Sequence, residues 1–114
     1  NVIKGKKIHL KRPNDMIDFI DVRDVANIIY QFAVDENFGI YNIGSSIVSS
    51  PKNLAQKIMQ IKDMSKSSDL IHCDRHEDII RIISNNSKLK TTLKYEIKYS
   101  IERTIYDLMR SLDV

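Results

Sequence analysis

Glycine, proline and cysteine are scarce in this chain and tryptophan is absent: 114 residues hold three glycines, two prolines and one cysteine. The glycines, Gly5, Gly39 and Gly44, never cluster. That excludes the glycine-rich strand-to-helix turn through which a dinucleotide fold brings backbone amides up to a pyrophosphate. The lone cysteine, Cys73, has no partner for an internal disulfide, which suits a reducing compartment. No window approaches the roughly 18 consecutive apolar residues of a membrane span. The basic start, residues 1–13, carries no apolar signal-peptide stretch, so a soluble cytoplasmic protein is expected. There is no internal repeat and no low-complexity tract.

What is present is enough apolar material for a core, 42% of residues against 29% charged, and the length of one domain, residues 1–114. The net charge of +3 gathers early, at Lys4, Lys6, Lys7, Lys11 and Arg12. A nucleic-acid surface would need a wider basic face with exposed aromatics, whereas the tyrosines here lie inside apolar runs. An ordinary solvated segment, or one anionic small ligand, fits better.

The expected elements alternate short strands and helices. Residues 7–10 read as an edge-like strand and 18–22 as a strand with one wet face, because acidic and apolar residues alternate there at period two. From 23 to 34 a wide apolar stripe (Val25, Ala26, Ile28, Ile29, Phe32, Ala33) predicts a well-covered helix. Residues 38–44 read as a buried strand ending at Gly44. Ser50 as N-cap and Pro51 at the first helical position open a second helix with its stripe at Leu54, Ile58 and Ile61. A polar hinge at 62–68 leads to a strand at 69–73 and a charged loop at 74–78. Asn85 or Asn86 is expected to cap a short helix through Leu93. Ser100 is expected to cap a final one with its stripe at Ile101, Ile105, Leu108, Met109 and Leu112. The fold class is mixed α/β, short strands with three to four helices.

The chemistry-bearing clusters are weak when taken alone. His72, Cys73, Asp74, His76, Glu77 and Asp78 bunch together, but without the paired spacings that make zinc ligands converge, so no metal site is assigned. Cys73 at a strand end reads as a small buried hydrophobe rather than a nucleophile. The series Asp15, Asp18, Asp21 and Asp24 drifts around the backbone instead of pairing carboxylates on one face; Asp21 or Asp24 is placed to cap the helix that follows.

Taken in order, IDFIDVRDVANII (17–29), FGIYNIGSS (38–46), the serine-capped helix, DRHEDIIRIISNNSKL (74–89) and KYSIERTIYDLM (98–109) resemble the second half of the extended short-chain dehydrogenases. These are the NAD-dependent epimerase/dehydratase family that includes the UDP-galactose 4-epimerases. The resemblance covers essentially the whole chain. It implies the C-terminal, substrate-binding part of a carbohydrate-biosynthesis enzyme, an isomerase or lyase, cut from its N-terminal Rossmann half. The family's catalytic tyrosine stands four residues before a lysine, and none of the five tyrosines here has that lysine. The fragment is therefore expected to hold no catalytic residue and no cofactor, with NAD(P) carried by the full-length parent.

By the same resemblance Arg75 meets the diphosphate of a nucleotide-sugar and Asp78 a ribose hydroxyl, ahead of the Ser87-Lys88 pair. A guanidinium offers phosphate a planar fork of donors, and a carboxylate accepts from hydroxyls. One departure stands out. Ile17 occupies the position where many relatives carry a phosphate-reaching arginine, leaving Arg12, Arg23 or Lys11 to supply that charge; Arg12 is taken as the third substrate-binding candidate. Family tryptophan and proline positions around Leu93, Lys94 and Ile97 are also replaced. Self-association of the isolated chain is expected, since its apolar faces lack the other half. The alternative is a non-catalytic binding or oligomerisation module of the same fold.

Overall fold

The computed structural model describes residues 7–62, 71–75 and 78–112. In chain order these form β1 (Ile8–Leu10), β2 (Met16–Asp18), α1 (Val22–Asp35), β3 (Val48–Ser49), α2 (Pro51–Ile61), β4 (Ile71–Cys73), β5 (Arg81–Ile82), α3 (Ser87–Leu93) and α4 (Ile101–Ser111). The mixed α/β class expected from the sequence is the class observed. Among the described residues no helix is long and apolar enough to cross a membrane.

Two small sheets organise the strands. β1 and β4 pair in parallel, with His9 opposite His72. The ladder continues one residue further, where the Asp74 amide donates to the Leu10 carbonyl at 3.0 Å. The second sheet runs β3-β2-β5, with β2 antiparallel to β3 and parallel to β5. The two parallel pairings bring residues 63 and 65 positions apart into register.

The helices begin where the side chains can hold free amides. Asp21 caps α1 by accepting from the Arg23 amide, Ser50 caps α2 by accepting from the Asn53 amide, and Ser100 caps α4 by accepting from the Arg103 amide. Pro51 stands at the start of α2, where its missing N–H costs nothing. α2 packs on α4; α2 buries Ala55 and Met59, and α4 buries Ile105 and Met109.

Several sequence expectations shift. The second strand lies at Met16–Asp18 rather than 18–22: its pairing ends at Asp18, and Asp21, though extended, turns its carboxylate to cap the helix that starts at Val22. Residues 38–44 form no strand: Phe38 and Ile40 are 89% and 88% exposed, and no described strand runs beside them to share a ladder. Side chains hold that segment instead. Tyr41 packs on Phe32 at 4.6 Å between ring centroids, and the Lys88 ammonium donates to the Ile40 carbonyl at 2.9 Å. β3, two residues long, falls in the serine-rich stretch before Pro51, and β5, equally short, falls between the charged loop and the Asn85-Asn86 pair, where no element was expected.

The helical stripes also turn. α2 buries Ala55 and Met59, leaving Ile61 exposed, and α4 exposes Leu108 and Leu112 while burying Ile105 and Met109. On α1, expected to be well covered, Ile28 is wholly buried while Ala26, Ile29, Ala33 and Val34 are exposed. The strand expected at 69–73 is found at Ile71–Cys73, its first two residues and most of the 62–68 hinge lying outside the described residues. Cys73 is half-buried.

Candidate functional site

Among the described residues, seven polar ones are buried, Asp15, Asp21, Asp24, Ser45, Ser49, Ser50 and Asn86, beside six aliphatic or methionine side chains and Pro13. The aspartate series supplies three of them, and half-buried Asp18 is its fourth member. The Asp15 carboxylate accepts from the Arg12 guanidinium and, at 3.0 Å, from the Ile80 amide. Asp18 receives the Ser45 amide and hydroxyl at 2.8 Å each, the Ser46 amide at 2.9 Å, and the Ser84 amide and hydroxyl at 3.0 and 2.9 Å. Besides capping α1, Asp21 accepts from the Arg23 guanidinium at 2.9 Å and from the Thr104 hydroxyl at 2.5 Å. Asp24, fully buried, takes the Tyr95 hydroxyl at 2.5 Å and the Lys98 and Tyr99 amides at 3.0 and 3.1 Å. The capping role falls to Asp21 alone; the other three bind segments that are far away in sequence.

These contacts move the titration of the groups involved. Burial by itself would raise Asp18, but the amide and hydroxyl donors of Ser84 and Ser45 outweigh it and hold the carboxyl below its ordinary value. The Arg23 guanidinium, aided by Thr104, holds Asp21 far below the usual carboxylate range. Burial, together with the hydrogen bond to Asp24, pushes the Tyr95 phenol up to about 12. Among the described residues no buried side-chain polar atom lacks a partner.

Of the three residues expected to grip substrate, the structure brings two together. The Arg12 guanidinium reaches the Asp78 carbonyl and carboxylate, both at 3.4 Å, while holding Asp15 more closely. Asp15 raises the Arg12 pKa, so this cation stays charged throughout the working range. Arg75 is exposed and makes no hydrogen bond or ion pair with another described residue. Its guanidinium is solvated, in the loop between β4 and β5.

Sequence reasoning missed one feature. Two adjoining clefts of about 490 and 470 Å³ share Ser45, Ile47 and Ile97 and are lined by Lys90 and Lys94 on one side and Lys57 and Lys98 on the other. Their walls are held by two acids: half-buried Asp18 fixes Ser45, and buried Asp24 fixes Tyr95 and the backbone of Lys98 and Tyr99. Arg12, Arg75 and Asp78 line neither cleft. The only signal in the sequence was the density of lysines between 88 and 98, which reads equally well as a solvated face.

The described glycines do not form a cradle for a dinucleotide. A side chain added at Gly44 would come within 2.6 Å of the Ser84 Cβ and 2.9 Å of an Asp18 oxygen, so that glycine serves a close internal packing contact. Gly39 has φ 117° and is exposed, on the chain reversal after α1. Gly5 lies outside the described residues.

No protein-family model matches the sequence, and no curated protein matches it. Solved structures do match the fold. A dTDP-glucose 4,6-dehydratase from Bacillus anthracis, in complex with NAD, is similar over 99% of this chain and 37% of its own, with a TM-score of 0.81 and 20% identity. The Bordetella bronchiseptica enzyme WbmF, in complex with NADH, is 26% identical over 96% of this chain and 34% of its own, with a TM-score of 0.76. A UDP-glucose 4-epimerase from Thermotoga maritima, with UDP-glucose, is 20% identical over 97% and 37%, with a TM-score of 0.73. The chain thus spans little more than a third of the length of the structures it matches. Its fold is that of one portion of NAD-dependent sugar epimerases and dehydratases.

Proposed function

We propose that this chain is the nucleotide-sugar-binding C-terminal part of an NAD-dependent epimerase or dehydratase, inactive alone. The observation that carries the reading is the fold match over 99% of the chain to just 37% of an NAD-bound dTDP-glucose dehydratase. A neighbour solved with UDP-glucose and another solved with NAD and UDP support a nucleoside-diphosphate ligand. The N-terminal half of the parent carries NAD(P), which supplies hydride chemistry when bound, and the catalytic tyrosine-lysine pair. This chain contributes binding and orientation. Arg75, solvated and charged, meets the diphosphate; Asp78 accepts from a ribose hydroxyl; Arg12, gripped by Asp15, fixes the Asp78 end of the loop. Nucleotide binding at these remote groups holds the sugar in reacting geometry without touching the reacting bond.

The test is calorimetric titration of the chain, alone and joined to its N-terminal half, with UDP-, dTDP-, CDP- and GDP-sugars. Arg75→Ala is expected to weaken binding by at least tenfold, the loss of one charge-assisted contact of roughly 1.5–3 kcal/mol. Lys94→Ala is expected to leave it unchanged. The opposite pattern would move the ligand into the lysine-lined clefts, and no binding in either form would remove the nucleotide-sugar reading altogether.

A further inference from the structure

The charged loop after β4 shows no metal-binding spacing of its own, but the β1-β4 pairing adds a ligand from far upstream. His9 and His72 are register partners on adjacent parallel strands, with ring centroids 5.0 Å apart. Asp74, two residues beyond His72, projects from the same side of the strand, since side chains alternate at period two. It accepts a hydrogen bond from the His9 Nε2 at 2.5 Å. One ligand atom from each of His9, His72 and Asp74 lies within 4.8 Å of the other two.

We propose that His9, His72 and Asp74 form a binding site for a divalent transition-metal ion, with Zn²⁺ as its natural probe. Two imidazoles and one carboxylate are a borderline donor set suited to zinc and unsuited to calcium or magnesium, which take oxygen ligands. With metal–ligand bonds of about 2.0–2.1 Å, a tetrahedral site separates its ligand atoms by roughly 3.3 Å. His9 Nε2 and the Asp74 oxygen, 2.5 Å apart, must therefore open by about 0.8 Å while the wider separations close by about 1.5 Å at most, shifts that side-chain rotation of two exposed histidines can supply. The hydrogen bond between His9 and Asp74 already draws two ligands together, and the metal would take the place of the shared proton. Three protein ligands leave a fourth position open to water or to an exogenous anion. Asp74 is the neighbour of Arg75 in sequence, but neither Arg75 nor Asp78 is among the ligands of this site.

The ion would also have a structural effect. β1 and β4 form a two-stranded sheet of three residues each, a pairing that is marginal in water by itself. Metal bridging residues 9 and 72 would tie the ends of a 63-residue stretch together only in the folded chain, so binding energy becomes folding energy.

Zn²⁺ titrated by calorimetry into the 114-residue chain, first stripped with chelator, is expected to bind at one equivalent and to raise the melting temperature. His9→Asn and His72→Asn should each lower affinity by at least roughly tenfold, the smaller end of what even outer-shell losses cost. Cys73→Ser should leave affinity unchanged. Co²⁺ added to the unaltered chain should shift and broaden the ring protons of His9 and His72 in NMR spectra, a reading that needs no substitution. The proposal is overturned by absence of saturable binding. It is equally overturned if stoichiometric binding persists in the double variant, or if Co²⁺ leaves those two rings unperturbed.

Discussion

At residue scale, aspartates recur at 15, 18, 21 and 24, every third residue from the turn before β2 into the first turn of α1. Neither a strand nor a helix puts that spacing on one line, so each carboxylate faces a different direction and meets a different distant segment. Asp18 shows the consequence most clearly, because one of its oxygens serves the Ser45 amide and hydroxyl while the other serves Ser46 and Ser84. Asp18→Asn keeps the shape but turns one acceptor into a donor facing donors. It is expected to cost about 1–3 kcal/mol in urea unfolding. The pH dependence has a definite sign. A carboxyl held below its unfolded value of about 3.9 stabilises the fold fully above that pH, and the contribution is lost as pH falls through the lowered folded value. The parent chain should therefore lose melting temperature below about pH 4, and Asp18→Asn should lose it less steeply.

At the scale of elements, α2 and α4 start as the residue pattern says, with a serine accepting an amide three residues on. α3 does not. Asn86 stands at its N-cap position but makes no capping bond; the buried amide donates instead to the Gly44 carbonyl at 3.0 Å. Ordinary cap preference treats Asn and Asp as equivalent. Here Asn86→Asp removes the donor and buries a carboxylate beside a carbonyl, so it should destabilise by more than the roughly 1 kcal/mol expected for Ser50→Ala. Equal losses in thermal unfolding would mean that Asn86 acts as a cap after all. The same contrast explains what was legible in advance. Serine caps, Pro51 and the helical stripes act within a few residues, and all four helices stand close to where the pattern put them. β3 and β5, at two residues each, are too short for any periodicity to register, and 38–44 has strand composition without a partner edge. In the candidate site, Arg75 and Asp78 came from motif order alone. The approach of Arg12 to Asp78, and of His9 to His72, depends on pairings more than 60 residues apart that no local pattern encodes.

At the scale of the whole molecule, the chain is a slab of 50 × 37 × 15 Å with a radius of gyration of 16.7 Å, against about 13 Å for a compact domain near this size. A thickness of 15 Å accommodates roughly one layer of elements, whereas stable domains close a core between two. Large apolar side chains are correspondingly bare: Val22, Ile29, Tyr30, Phe38, Ile40 and Ile47 are all well exposed. Monomeric soluble proteins rarely show contiguous apolar patches beyond a few hundred Å². Isolated chains should therefore associate, and sedimentation velocity is expected to show a weight-average mass that climbs with concentration. Phe38→Ser with Ile40→Ser should move that curve back toward the monomer without lowering stability, since both side chains are almost fully solvated in the single chain. Joining the N-terminal half proposed above should have the same effect by covering those side chains, and in that form the mass should stay flat. A monomer at every concentration would mean that the bare face is tolerated and that no second layer is missing.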